Sequence, residues 1–322
     1  MTPESSTSPA EAQPSRASRL RPARRPPFFG LLESIIVEDG AGPFVSSGAI
    51  ARADAEAVWT WLHRDVAAEL IDPRLPDGEG SIAALDGVMP EVLNRARELV
   101  AAAAVSPEVD HRVKAQVGGE ATWKRVPIIL TALKVRALLE KARSFGRATN
   151  NLADEAQTMT ALQMIPRQDQ AIAALLFQAA IGQVTNPGRL MTAVTRIAGG
   201  ATETAIQRAG FGPLIEALIA HAQNQLPVLM QWGSFADFDL TCRAIDRFNR
   251  LVRAVTGYVE LTRLSRWSGA VGMLVGAASE RIEPQLRNVV PDVSRALRKT
   301  PGGIDRVDSD QMLAAFNGVY LL

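Results

Sequence analysis

Apolar residues recur at helical spacing over most of this chain. The first clear set stands at intervals of four residues: Val58, Leu62, Val66 and Leu70. This spacing places the four side chains on one side of a helix. We therefore predict a helix over residues 50–71, which Pro73 would end because proline cannot continue a helical hydrogen-bond ladder.

The strongest amphipathic pattern begins at Ser234. Ser234 and Asp237 have the spacing of a capping box, with Asp in place of the usual Glu. The apolar stripe that follows consists of Phe238, Cys242, Ile245, Val252, Val255 and Val259. Three arginines are expected on the opposite side of this helix, away from the core: Arg243, Arg247 and Arg250.

Proline and glycine divide the rest of the chain into further helices. Ser106-Pro107 and Asn186-Pro187 each match an N-cap followed by a proline in the first helical turn. Pro90 is expected in the first turn of its helix, and Pro127 is expected to open or kink another. Breaks are predicted at three glycine-containing sites: Gly118-Gly119, Gly199-Gly200 and Gly210 with Gly212-Pro213.

A last long helical region is predicted from Ser265 to about Lys299, with kinks near Pro284 and Pro291. Gly272 and Gly276 would give it a small-residue face suited to close helix contact. The apolar stretches 171–184 and 269–278 are interpreted as buried helix segments. Both are shorter than the roughly 20 residues that a membrane span requires, so no span is predicted.

Composition supports the all-α class. The chain is rich in Ala, which has the highest helix propensity, and only 5% of its residues are aromatic. No fixed repeat is visible, so we predict an irregular multi-helix bundle with a disordered basic N-terminal tail. The predicted division is a tail over 1–27, a helical region over 28–118, a larger bundle over 119–299, and a loop with an apolar helix over 300–322.

The N-terminal tail carries the one dense charge cluster of the sequence: Arg16, Arg19, Arg21, Arg24 and Arg25. The formal net charge of the whole chain is only +1, so a general attraction to nucleic acid is not expected. The cluster either contacts nucleic acid or another anionic surface, or is a solvated tail. If it contacts about five phosphates, log affinity should fall with log salt at a slope near −4.

The C-terminal residues begin a new apolar pattern. Asp308 and Gln311 have capping-box spacing, and Met312 and Leu313 start an apolar face. Five residues at its end are candidates for docking on a partner: Phe316, Val319, Tyr320, Leu321 and Leu322. Either this end docks into a core or groove, or the chain continues in a longer protein.

No catalytic, cofactor-binding or metal-binding residues are predicted. His63, His111 and His221 lie far apart in the sequence, and none has a second His or Cys at metal-ligand spacing. The glycine-rich stretch 78–83 follows prolines instead of a strand, so a dinucleotide site is not supported. Cys242, the single cysteine, is expected to be a buried structural thiol.

Residues 202–221 have a weak helix-turn-helix pattern. Glu216 falls where an apolar residue would be expected, and no Arg or Lys occurs over residues 211–231. A recognition helix here would therefore lack cationic contacts to phosphate, and DNA binding by this segment is not favoured.

These observations favour a non-enzymatic cytoplasmic protein that binds another protein or itself, as a regulator or adaptor. The preference for Arg over Lys is typical of a GC-rich bacterial genome. Two alternatives remain. One is a nucleic-acid-associated protein that uses the N-terminal arginines, and the other is an enzyme whose site assembles only in three dimensions, in a pocket with Glu, Asp or His.

Overall fold

The computed structural model describes residues 27–37, 44, 46–72, 79–151, 155–227, 229 and 235–298. This part of the chain is mainly helical, and the predicted all-α class is confirmed. The helices are α1 (Pro27–Leu32), α2 (Arg52–Trp61), α3 (Glu79–Val105), α4 (Pro107–Gln116), α5 (Glu120–Trp123), α6 (Val126–Lys134), α7 (Arg136–Ala148), α8 (Glu155–Met164), α9 (Gln170–Ile181), α10 (Pro187–Ala198), α11 (Glu203–Arg208), α12 (Gly212–Gln223), α13 (Phe235–Thr256) and α14 (Arg266–Arg298).

Two very short strands lie near the start of the described chain. β1 (Ile36–Val37) pairs in parallel with β2 (Ile50–Ala51), with Ile36 opposite Ile50. Between the strands, the described residues Phe44 and 46–48 lie against α9 and α12, and they are called the strap below.

Several local predictions are confirmed because they depend on nearby backbone groups alone. The Ser106 side chain accepts a hydrogen bond from the Val109 N–H, and Asn186 caps α10 in the same way. Gly118 and Gly199 have positive φ angles of 93° and 74°, which glycine adopts without steric cost.

Other boundaries differ from the predictions. Pro90 lies inside α3 and not in its first turn, because the helix already begins at Glu79. A single helix was predicted over 50–71. In the structure the α-helix ends at Trp61, and a π-helical turn, Leu62–Val66, follows it. Pro127 lies in the first turn of α6 as expected. The helix is interrupted at Val135, and α7 starts at the next residue.

The hydrophobic core is one continuous cluster that runs from Phe28 to Ala278 in the sequence. α9 and α12 lie at its centre: α9 packs on α7 and α12, and α12 packs on α9, α13 and α14. Every side chain of α9 from Ala173 to Ile181 is buried, which confirms the interpretation of the apolar stretch 171–184. The stretch 269–278 is buried on one side only, since Gly272, Met273 and Gly276 are exposed.

Among the helices formed by described residues, none combines the length and the apolar character needed to cross a membrane.

Candidate functional site

A polar cleft of about 800 Å³ lies where the amino-terminal ends of several helices meet. The ends of α9, α11, α12 and α14 form its walls, and the strap contributes Ser47. Its lining comprises Ser47, Pro166, Gln168, Gln170, Ala173, Glu203, Thr204, Gln207, Gly210, Gly212, Pro213, Glu216, Thr262, Leu264, Ser265, Arg266 and Trp267.

Side-chain caps fix the starts of two helices, α9 and α14, at the cleft. The Asp169 carboxylate accepts a hydrogen bond from the Ala171 N–H at 2.9 Å, and the Ser265 hydroxyl accepts one from the Trp267 N–H at 3.1 Å. Pro213 occupies the first turn of α12, where its missing N–H costs nothing. Each helix start carries a partial positive charge of roughly half an elementary charge, which favours acidic side chains nearby.

Glu216 is the centre of the charged wall. Its side chain is only 15% exposed, and its carboxylate accepts hydrogen bonds from the Ser47 hydroxyl at 2.9 Å and the Ser47 N–H at 3.2 Å. The Arg266 guanidinium lies 2.9 Å from the other carboxylate oxygen and also stacks 5.3 Å from the ring centroid of Phe44. These contacts join the strap, α12 and α14 at one point.

Hydrogen bonds to the core helices α9 and α12 also fix the strap. The Phe44 N–H donates to the Gln223 side chain at 3.2 Å, and the Ser46 hydroxyl donates to the Gln178 side chain at 2.9 Å. A Cβ on Gly48 would lie 2.1 Å from the Ala174 carbonyl oxygen, so only glycine permits this approach to α9. The wall of the cleft is therefore fixed by buried hydrogen bonds and close backbone packing.

Three carboxamide side chains also line the cleft: Gln168, Gln170 and Gln207. The Gln207 side-chain amide donates a hydrogen bond to the Glu203 carboxylate at 3.0 Å, so these two lining residues are bonded to each other. Leu264, another lining residue, is 98% exposed and presents an apolar side chain to solvent.

His221 lies close to the strap contacts but does not line the cleft. Its Nε2 donates to the Gln178 carbonyl oxygen, 2.9 Å away. Burial lowers the pKa of His221 to about 4, and the nearby Arg247 charge acts in the same direction. The imidazole is thus neutral near pH 7 and serves as a fixed donor.

Arg247 does not lie on the solvent side of α13, where the sequence pattern placed it. Its guanidinium is largely buried and donates to the carbonyl oxygens of Ile181, at 2.7 Å, and of Val184. These carbonyls follow the end of α9, where no further helical N–H is present to bind them. Burial lowers the pKa of Arg247.

None of the predicted site residues belongs to the part of the chain that the structure describes. The tail arginines Arg16, Arg19, Arg21, Arg24 and Arg25 lie outside the described residues, as do Phe316, Val319, Tyr320, Leu321, Leu322 and the side chain of Cys242. His63 stacks near Trp59, with ring centroids 5.1 Å apart, and His111 is exposed on α4. The three histidines do not converge.

The cleft was not predicted from the sequence, although one of its residues did not fit the sequence pattern. Glu216 stood out as a polar residue at an apolar position of α12, and this misfit was the available signal. Its partners Ser47 and Arg266 are 169 residues before it and 50 residues after it in the chain, so spacing alone could not identify them.

The chemistry of the cleft follows from its lining. Among the described residues that line it, Glu203 and Glu216 are the carboxylates, Arg266 is the cation, and none is His, Cys or Lys. Among the described residues, no three metal-ligating side chains lie close enough together to bind a metal ion. The arrangement supplies hydrogen-bond donors and acceptors to a polar ligand, but no paired nucleophile and histidine base. No protein-family model, curated protein or solved structure matches this chain.

Proposed function

We propose that this protein is a non-enzymatic helical protein that binds a partner protein by receiving an extended peptide segment in the polar cleft. The observation that carries the proposal is the combination of a wide carboxamide-lined cleft with Leu264, which is 98% exposed at its edge. In this proposal the protein acts as a regulator or adaptor.

An extended peptide matches this lining chemically. Its backbone presents alternating N–H donors and C=O acceptors, and each glutamine side chain offers both kinds of group. Gln168, Gln170 and Gln207 are therefore suited to bind a peptide backbone, while Leu264 would contact an apolar side chain of the partner. A compact apolar ligand would find few apolar walls here.

We also propose a bacterial cytosol as the location of the protein. The single cysteine leaves no pair for an internal disulfide, which suits a reducing compartment. The strong preference for Arg over Lys is the basis for the bacterial assignment.

A phage-displayed library of random linear peptides, selected on the full chain, tests the proposed binding. Selected peptides should bind the wild-type chain with micromolar affinity or better, and Leu264→Gln should weaken binding about tenfold, since loss of one buried apolar contact costs about 1.4 kcal/mol. Binding is measured by titration calorimetry with the synthetic peptides.

Val105→Gln is the matched control, because Val105 is 84% exposed at the end of α3 and does not line the cleft. Its affinity should equal that of the wild type. Failure to select any peptide, or equal losses from the two substitutions, would contradict the proposal.

A further inference from the structure

The carboxylate of Glu203 lies in the wall of the cleft and is bonded to uncharged groups. One of its oxygens accepts a hydrogen bond from the Gln207 side-chain amide at 3.0 Å, and the other accepts one from the Thr262 hydroxyl at 3.5 Å. No cation among the described residues forms an ion pair with it. Hydrogen bonds from neutral donors leave the formal charge of a carboxylate in place.

The other two charged side chains of the cleft pair with each other. The Arg266 guanidinium lies 2.9 Å from a carboxylate oxygen of Glu216 and also stacks on the ring of Phe44. The described lining residues contain two carboxylates and one guanidinium, which gives them a formal charge of −1. Because the second carboxylate is already paired with the guanidinium, this charge belongs to Glu203.

The start of α11 compensates the Glu203 charge only in part. Glu203 is the first residue of this helix, after the capping residue Thr202. A helix start supplies roughly half an elementary charge, and α11 has only six residues. Arg263 follows Thr262 directly in the chain but does not line the cleft. A cationic ligand would therefore find an acceptor at Glu203.

The backbone around Glu203 is tied to the loop that carries Leu264. The Ala201 carbonyl oxygen accepts a hydrogen bond from the Glu260 N–H at 2.9 Å, just before α11 begins. Leu264 follows Thr262 by two residues, so the Cα atoms of these two residues are at most about 7 Å apart. The negative charge and the exposed apolar side chain are thus presented by adjoining segments.

We propose that the partner segment received in the cleft carries a basic side chain, arginine or lysine, which pairs with Glu203 while a nearby apolar side chain contacts Leu264. This inference rests on the proposed peptide binding and adds the chemistry of the peptide. Guanidinium and ammonium groups only donate hydrogen bonds, and their bonds to a carboxylate are stronger than those between neutral groups. An acidic side chain at the same place would be repelled.

The peptides selected on the full chain give the first readout. Arg or Lys should recur near an apolar position in their sequences, and Asp and Glu should be depleted there. The same selection on Glu203→Lys should reverse this preference, because the wall then carries the opposite charge. Selection of the same basic peptides by Glu203→Lys would overturn the proposal.

Titration calorimetry gives the second readout, with selected peptides made synthetically and blocked at both ends so that side chains are their only cations. Glu203→Gln should weaken binding of a basic peptide about fivefold at low salt, where an exposed ion pair is least screened. The Gln side chain still offers an amide oxygen to Gln207. Replacing the basic residue of the peptide by Gln should cause a similar loss, and combining the two changes should cause little further loss.

Glu98→Gln is the matched control for charge in general. Glu98 is exposed on α3, and it does not line the cleft. This substitution should leave the affinity of basic peptides unchanged. Its effect should add to that of the peptide substitution, because the two sites share no contact.

The outcomes separate this inference from the proposed function. Selected peptides without basic residues, or basic peptides that bind the wild type and Glu203→Gln equally, would overturn the pairing with Glu203. In either case Leu264→Gln still reports whether the cleft binds the peptides. Failure to select any peptide would contradict both proposals.

Discussion

Individual glycines determine how closely parts of this fold approach one another. A Cβ on Gly146 of α7 would lie 2.2 Å from the Ala180 carbonyl oxygen of α9. Gly48 is in the same situation beneath the strap, against Ala174. At these positions the absence of a side chain is a packing requirement, and α9 is the helix approached in both cases.

Gly146→Ala should destabilise the protein by about 2 kcal/mol, because the new methyl group forces α7 and α9 apart in a close-packed core. Gly87→Ala is the matched substitution, since Gly87 is exposed inside α3 and its Cβ would meet nothing within 4 Å. It should stabilise the protein by up to about 1 kcal/mol through helix propensity. Urea denaturation measures both, and shifts in the same direction would contradict the packing argument.

His221 should make stability depend on pH. Its pKa is about 4 in the folded protein, against an ordinary value of 6.5, because burial disfavours the charged ring. The unfolded chain therefore binds more protons between these values, and stability falls as pH drops from 6.5 towards 4. The contribution is at most about 3 kcal/mol.

The measurement is the urea midpoint as a function of pH. His221→Gln should flatten the decline between pH 6.5 and 4, while His111→Gln, at an exposed position, should leave it unchanged. An identical pH profile for wild type and His221→Gln would show that the imidazole is not held neutral by the fold.

At the scale of elements, the end of α9 is stabilised by a different helix. The carbonyls of Ile181 and Val184 accept hydrogen bonds from Arg247 of α13, and the Thr185 carbonyl accepts one from Arg250 at 3.3 Å. The carboxyl end of a helix carries partial negative charge, so cations are favoured there. This contact ties α13 to the central helix of the core.

Arg247→Met should destabilise the protein by about 2–3 kcal/mol, because buried carbonyl groups lose charged donors. Arg253→Met, at an exposed position of the same helix, should change the free energy of unfolding by less than about 0.5 kcal/mol. Thermal and urea unfolding of both variants provide the comparison. Equal losses of unfolding free energy would mean that Arg247 stabilises the protein only through its positive charge, and not through hydrogen bonds to the carbonyls at the end of α9.

What the sequence could predict was mainly local. Ser106 and Asn186 were identified as caps because a cap needs only the N–H groups two or three residues ahead. Arg247 was predicted on the wrong side of its helix and the contacts of Glu216 were not predicted, because their partners lie in other elements and helical spacing gives no information about them. Pro90 was misplaced because α3 already begins at Glu79, and a proline by itself does not show whether a helix starts there or continues past it.

At the scale of the whole molecule, the cleft is a product of the complete fold. Its walls bring together Ser47, Gln168, Glu216 and Leu264, which are widely separated in the sequence. The same core that joins α1 to α14 therefore positions the proposed peptide site. The tail arginines are not among the residues that the structure describes, and their contact with nucleic acid stays a prediction.

Site-specific photo-crosslinking tests the central claim, that the cleft receives a partner protein, most directly. Benzoylphenylalanine is placed at position 264, beside the cleft, or at position 105 as the exposed control, in the full chain expressed in its native cell. The account predicts a crosslinked adduct to another protein from position 264 and none from position 105. Equal adducts from both positions, or none from position 264, would contradict it.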